Sequence, residues 1–299
     1  MNSPVRWLFE IVVAAYGPSP LLAETLRSIL AALPTPGPRV TVLDDASPTD
    51  VVRLIAEPLA PRVSFRRNER NLGVSGAFNV AADLSQSEYT ILVGPDDRLL
   101  SSASDVYQHA IEQHRGAAAI QPGVITIDEA GQEVSDITDG VKRLITPRQG
   151  RSAGQSLAVS LLLGDWTYNP ALAWRTDFVR QHRFDENLHT AMDLDLLLRL
   201  AFAGESVAVS TEPAFEYRRH EGAVSSGNRG LKRLGEELRI HHSAKDTATQ
   251  RGWRRARWAA ELAATPRLHG LKLALGSQDW SWPERRALAR LSLSPTSRA

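Results

Sequence analysis

Two short apolar runs in the first hundred residues are each followed by a pair of aspartates. Val40-Thr41-Val42-Leu43 runs into Asp44-Asp45, and Tyr89-Thr90-Ile91-Leu92-Val93 leads through Gly94-Pro95 into Asp96-Asp97. Continuous β-branched runs of this length read as strands buried on both faces, as in a parallel sheet. In open α/β sheets the ligand crevice lies beyond the carboxyl ends of the strands. Both pairs would then place carboxylates on one rim, where clustered charge is costly unless a cation or hydrogen-bond donors offset it. The pattern predicts a site for a divalent metal and a nucleotide.

Strand and helix signals alternate through the first half. Phe9–Ala15 reads as a strand and Tyr16–Pro20 as a loop. Leu21–Leu33 reads as a helix with Leu22, Leu26, Ile29, Leu30 and Leu33 on one face, stopped by the Pro34–Pro38 stretch. Ser47–Asp50 signals a helix start before Val51–Ala56, Val63–Phe65 a short strand, Asn71–Gly76 a loop, and Ala77–Leu84 a helix. This rhythm predicts an α/β fold with a mostly parallel sheet flanked by helices. Farther on, Ala118–Gln121, Val124–Ile127 and Val207–Ser210 read as strands and Ala191–Ala203 as a helix. Beyond Gly227 helices are expected over Leu231–Lys245, Gly252–Ala264, Leu268–Leu275 and Pro283–Leu291.

Charge divides the chain unevenly. Residues 1–226 carry a net −8 and residues 227–299 a net +9, so a body and a basic helical extension are expected. There is no cysteine, which excludes disulfides and thiolate metal sites and fits a cytoplasmic protein. No apolar stretch nears the roughly 18 residues of a spanning helix. Glu10 interrupts the amino-terminal apolar segment, which is expected as a strand rather than a leader. The acidic body argues against a nucleic-acid partner. Arg251–Trp258 mixes four arginines with two tryptophans. It reads either as a solvated helix packed on the body or as peripheral contact with the inner face of an anionic membrane.

Seven blocks, in order, resemble the family 2 glycosyltransferases of the GT-A fold. They are Ile11–Tyr16, Val42–Asp50, Arg70–Asn79, Gly94–Asp97, Phe184–Leu188, Met192–Arg199 and Tyr217–His220, spanning about residues 9–226. The resemblance implies inverting transfer of a sugar from a nucleoside-diphosphate sugar to a hydroxyl of a glycan, lipid-linked or small-molecule acceptor, with Mg²⁺ or Mn²⁺ as cofactor and polysaccharide biosynthesis as a setting. Carried over by position, the Ala14 backbone and Tyr16 would hold the base, Asp44 and Asp45 the base and ribose, Asp96 the ribose, Asp97 and His220 the metal, and Asp193 would be the catalytic base. Three positions depart from the family pattern: Gly94 stands where an acid is frequent, Ala46 where glycine is, and Met192 where glutamate is.

Each residue also has a plainer reading. Asp193 and Asp195 both suit a helix cap. Only one of them can face a given site, because they stand about 200° apart around a helix. Asp44 and Asp45 could cap the next helix, Asp96 and Asp97 could form a solvated turn, and Asn71–Gly76 could be a turn whose glycines, Gly73 among them, also permit close approach of a ligand. His220 reads as structural or, beside Arg218 and Arg219, as a diphosphate or metal contact. Trp166 and Trp174 could line an acceptor pocket or be buried. A sugar-phosphate nucleotidyltransferase is the rival reaction, but its phosphate loop after the first strand would be basic, and Tyr16–Leu22 has no basic residue. An inactive nucleotide-binding scaffold recruited to membranes is the non-enzymatic alternative.

Overall fold

The computed structural model describes residues 7–134, 145–147, 149–219, 230–276 and 281–293. Its centre is β1 (Phe9–Ala15), flanked in parallel by β2 (Val40–Asp44) and β4 (Tyr89–Val93); Ile11 pairs with both Val40 and Ile91. The strand β3 (Ser64–Arg67) extends the parallel edge beside β2. Successive side chains of a strand face opposite sides. Val12 accordingly joins one core, while Ile11 and Val13 join the other.

The helix α1 (Leu22–Ala32) covers the second face with Leu22, Leu26 and Ile29, all fully buried, each adding about 1.5–3 kcal/mol of apolar burial. It shares that face with α2 (Val51–Ala56) and α4 (Ala103–Gln113). The helix α3 (Gly73–Leu84) covers the first face through Ala77, Phe78, Ala81 and Ala82. It starts four residues earlier than the sequence predicts, so Gly73–Gly76 is its first turn rather than a loop.

The rest of the sheet is mixed. Among the described residues nine strands form one sheet. Antiparallel β8 (Ala173–Arg175) joins β4 to β6 (Ala119–Ile127), and β6 runs parallel to β9 (Ser206–Arg218), whose other partners are β5 (Arg98–Leu99) and β7 (Gly150–Ala153). The two strands expected at 118–121 and 124–127 are one strand, irregular around Pro122-Gly123. Its long partner β9 holds both halves in one ladder. On the first face lie α5 (Gly154–Leu163), α6 (Thr176–His182) and α7 (Met192–Ala203). The basic extension folds as α8 (Gly230–Gln250), α9 (Arg254–Leu262), α10 (Ala264–Leu275) and α11 (Trp282–Leu293). Ile240, Ala244, Ala256 and Ala260 of α8 and α9 enter the same core as α5 and α7.

Candidate active site

The parallel register sets Ala15 opposite Asp44, so β1, β2 and β4 end on one edge and the acidic pairs follow there. Protein donors close the first pair. Asp44 is fully buried; its carboxylate accepts from the Ser47 backbone at 2.9 Å, the Ser47 hydroxyl at 2.5 Å and Arg67 Nη1 at 2.9 Å. Asp45 accepts from Asn68 Nδ2 at 2.8 Å and the Leu72 backbone at 3.0 Å. Ser47 Oγ in turn accepts from Gly17 N, which ties this loop to the one after β1. Ala46 between them has φ +58°, in the left-handed region, and this explains why glycine suits the position.

The second pair is built differently. Asp97 is buried, and Oδ1 accepts from the Arg218 backbone at 2.9 Å. Burial first, and then the Asp96 charge, push its carboxyl well above the ordinary range, against the weaker pull of Arg218. A Cβ at Gly94 would lie 2.7 Å from Asp96 Oδ1 and 3.3 Å from Asp97 Oδ2. Both carboxylates therefore crowd one point, and an acid at position 94 would collide with them as they stand. Arg218, two residues before His220, turns inward and is buried. It donates to the carbonyls of Asp96 (2.8 Å), Asp128 (3.2 Å) and Glu129 (2.9 Å) and to Glu24 Oε1 (2.7 Å). Arg98 bridges Glu24 and Glu216 beside it. His220 lies outside the described residues. Among the described residues no group of three or more His, Asp or Glu side chains is placed to hold a metal.

Tyr16 is exposed at the same edge and Ala14 is half-buried. Gly73 is exposed with φ +69°, a conformation that favours glycine. Two of the sequence blocks meet in space. Asn79 Nδ2 donates to Phe184 O at 3.0 Å, Phe184 N donates back to Asn79 Oδ1 at 2.8 Å, and Ser75 Oγ donates to Leu188 O.

Asp193 stands half-buried in the first turn of α7, its Oδ1 accepting from Leu194 N at 2.9 Å. Asp195 is bound elsewhere, to Arg199 Nε at 2.8 Å. Met192 is buried in the core. Trp166 and Trp174 are buried too, their ring N–H groups reaching Ser160 and Asn169, so neither lines an open pocket. Arg233 of α8, absent from the sequence reading, carries a charge that Asp193 and Asp165 both feel. Burial works to lower its pKa, but Glu237, Asp193 and Asp165 together raise it. Glu24 and Glu236 were likewise missed. Glu24 could have been noticed as an acid in the first turn of the helix after β1.

Residues 10–162, more than half of the chain, match the model of glycosyl transferase family 2. An uncharacterized glycosyltransferase of Methanocaldococcus jannaschii is 22% identical over 71% of this chain and 70% of its own. Among solved structures, residues 1–349 of TarS from S. aureus, in complex with UDP-GlcNAc, superpose with a TM-score of 0.68 at 16% identity, covering 95% of this chain and 81% of that one. GalNAc-T7, solved with UDP, GalNAc and Mn²⁺, gives a TM-score of 0.55 at 12% identity over 78% of this chain and 47% of that one. The fold is thus GT-A, and the chain belongs to glycosyl transferase family 2 and is a glycosyltransferase.

Proposed function

We propose that this glycosyltransferase moves a sugar, with inversion, from a nucleoside-diphosphate sugar to a hydroxyl acceptor, assisted by Mg²⁺ or Mn²⁺. The observation that carries the reading is the convergence of Asp96 Oδ1 and Asp97 Oδ2 beside Gly94, with Asp97 buried against a second negative charge. Carboxylate oxygens suit a hard cation that keeps water and phosphate oxygens as its other ligands. The donor set therefore fits a metal held by Asp97, next to Asp96, and shared with a diphosphate. When bound, the cation would offset the charge that builds on the departing diphosphate. Tyr16 would stack on the base and the Ala14 backbone would hold its edge. Asp45 and Asp96 would meet the ribose, and Gly73 would let backbone approach the donor. Asp44 would act by fixing the loop that carries Asp45. Asp193 would take the acceptor proton as the hydroxyl oxygen bonds to the anomeric carbon and the bond to the diphosphate breaks. General-base help of this kind contributes roughly 10²–10⁴-fold.

UDP-sugars are the first donors to test, given what TarS and GalNAc-T7 are solved with. Purified protein would be incubated with UDP-GlcNAc and other UDP-sugars with and without Mn²⁺, and the products and their anomeric configuration identified. Release of UDP with an inverted product is expected. Pyrophosphate would mean a nucleotidyltransferase, no product with intact UDP binding a scaffold, and a retained configuration would refute inversion.

We also propose a cytoplasmic protein whose extension touches anionic membrane. No helix among the described residues is long and apolar enough to cross one. The buried face of α9 packs on the body, while Arg254, Arg255, Arg257 and Trp258 stay exposed, the last by 64%. Co-sedimentation with phosphatidylglycerol vesicles that is absent even at low salt would refute the contact, since screening is weakest there.

A further inference from the structure

We infer that Glu236, on the C-terminal extension, is a positioning residue of the active site that fixes the segment presenting Asp193. The inference rests on the reading of Asp193 as the base. Glu236 has no exposed surface. Its Oε2 accepts from Thr190 N at 2.9 Å, Thr190 Oγ1 at 2.7 Å and Ala191 N at 3.3 Å, and both of its oxygens accept from His189 N at 3.2 Å. Three successive backbone N–H groups thus converge on one carboxylate, two residues before Asp193.

Local sequence cannot supply this clamp. The residue before α7 is Ala191, which has no side chain to cap a helix. The carboxylate comes instead from 45 positions away. Burial opposes its charge, yet the donors of Thr190, His189 and Ala191 prevail and hold the carboxyl below its usual range. Arg233 lies three residues earlier, on the same side of α8. It is paired with Glu237 at 2.8 Å and within the fields of Asp193 and Asp165. The extension therefore sets both the backbone before the base and a positive charge near it.

The clamp is itself held. His241, further along α8, contacts Leu162 O at 3.2 Å, Thr265 of α10 donates to Leu163 O, and Arg255 N donates to Gln155 Oε1 at 3.0 Å. These bonds pin the extension to α5 in the catalytic body. A carboxylate base misplaced by about 1 Å loses on the order of 10²-fold in rate. The basic extension, outside the sequence blocks of the family, would on this account be needed for turnover.

The test uses the full chain with Glu236→Ala, Glu236→Gln, Asp193→Asn and, as a core truncation away from the site, Val52→Ala. Three readouts are taken: hydrogen exchange of residues 189–195, affinity for UDP with Mn²⁺, and turnover of the UDP-sugar that wild type uses. For Glu236→Ala we expect faster exchange confined to that segment, UDP affinity within about twofold, and kcat down at least about tenfold. Glu236→Gln, which keeps one accepting oxygen, should recover part of kcat, and Val52→Ala should leave kcat and local exchange unchanged. Unchanged exchange in Glu236→Ala overturns the inference, whether or not a donor is found. A loss of kcat in Val52→Ala equal to that in Glu236→Ala also overturns it. If Asp193→Asn turns over normally, the base reading has failed and the positioning role fails with it.

Discussion

Replacing Arg218 by methionine should be among the most destabilising single changes near the site, although it alters no group assigned to substrate. The guanidinium donates to three carbonyls and one carboxylate, and the residue is 2% exposed. Breaking a buried charged site by removing one partner costs about 3–5 kcal/mol. Glu24 is 37% exposed and keeps Arg98 at 3.0 Å, so its loss is softened by water and by that second cation. A net cost of about 2–4 kcal/mol remains, mainly from the carbonyls of Asp96, Asp128 and Glu129. Whole-domain stabilities are about 5–15 kcal/mol. For a chain of 299 residues a loss of about 2–4 kcal/mol lowers Tm by about 3–6 °C. Urea unfolding followed by circular dichroism would measure it, with the midpoint lowered and the slope unchanged. Lysine should not rescue, because a single ammonium cannot reproduce the planar fork. Glu24→Gln keeps an accepting oxygen for the buried Arg218 and should cost less than Arg218→Met. A loss below about 1 kcal/mol for Arg218→Met, or a larger loss for Glu24→Gln than for Arg218→Met, would refute the assignment of Arg218 as the buried tie between Asp96, the 128–129 turn and α1.

Asp97→Asn should leave the metal-free protein as stable or more so at neutral pH, because burial and Asp96 both disfavour the ionised carboxylate. The same variant should lower Mn²⁺-dependent UDP affinity at least about tenfold, read by calorimetry against thermal unfolding. Ala46→Gly should raise stability by up to about 1 kcal/mol, since relief of the left-handed strain exceeds the extra chain entropy; a lower Tm would contradict it. Asp193→Asn should cut kcat at least about 10²-fold with donor affinity unchanged. Asp195→Asn, which breaks only the Arg199 pair, should cost far less, and the reverse result would exchange their roles. Glu236 has a lowered pKa, so its charge stabilises the fold fully above its ordinary value of 4.5, and that contribution disappears as pH falls through the lower folded value. The stability gap between wild type and Glu236→Gln should therefore be flat at neutral pH and close in acid; a gap independent of pH would refute the depressed carboxyl.

The parts of this fold that were legible in the sequence are those in which neighbours in the chain determine the outcome. The runs at 11–15, 40–44 and 89–93 carry their own strand signal, and Leu22, Leu26 and Ile29 carry that of α1. The strands β5, β7 and β8 span two, four and three residues and exist because β9, β4 and β6 lie ready to pair with them; no periodicity fits in so few positions. Asn71–Gly76 read as a turn or as a loop close to a ligand; not legible there was that Ser75 donates to Leu188 and that Asn79, in the helix that follows, bonds Phe184, each more than a hundred positions away. Arg218 and Glu236 escaped for the same reason.

The acidic pairs show how a correct inference about place can outrun an inference about need. The register put them on one rim, as the runs before them required. Clustered carboxylates do demand compensation, but a fold can supply it from its own donors. Asp44 and Asp45 receive theirs from Ser47, Arg67, Asn68 and Leu72, residues within 27 positions that shape the β2 and β3 loops. Asp97 receives one backbone N–H from Arg218 and faces Asp96 across the space that Gly94 leaves open, and burial pushes its carboxylate toward the neutral form. Demand for a cation should accordingly follow Asp97, not the number of acids on the rim. Glycine at position 94, a departure from the family's frequent acid, then has a physical role: a side chain there would occupy the point on which Asp96 and Asp97 converge.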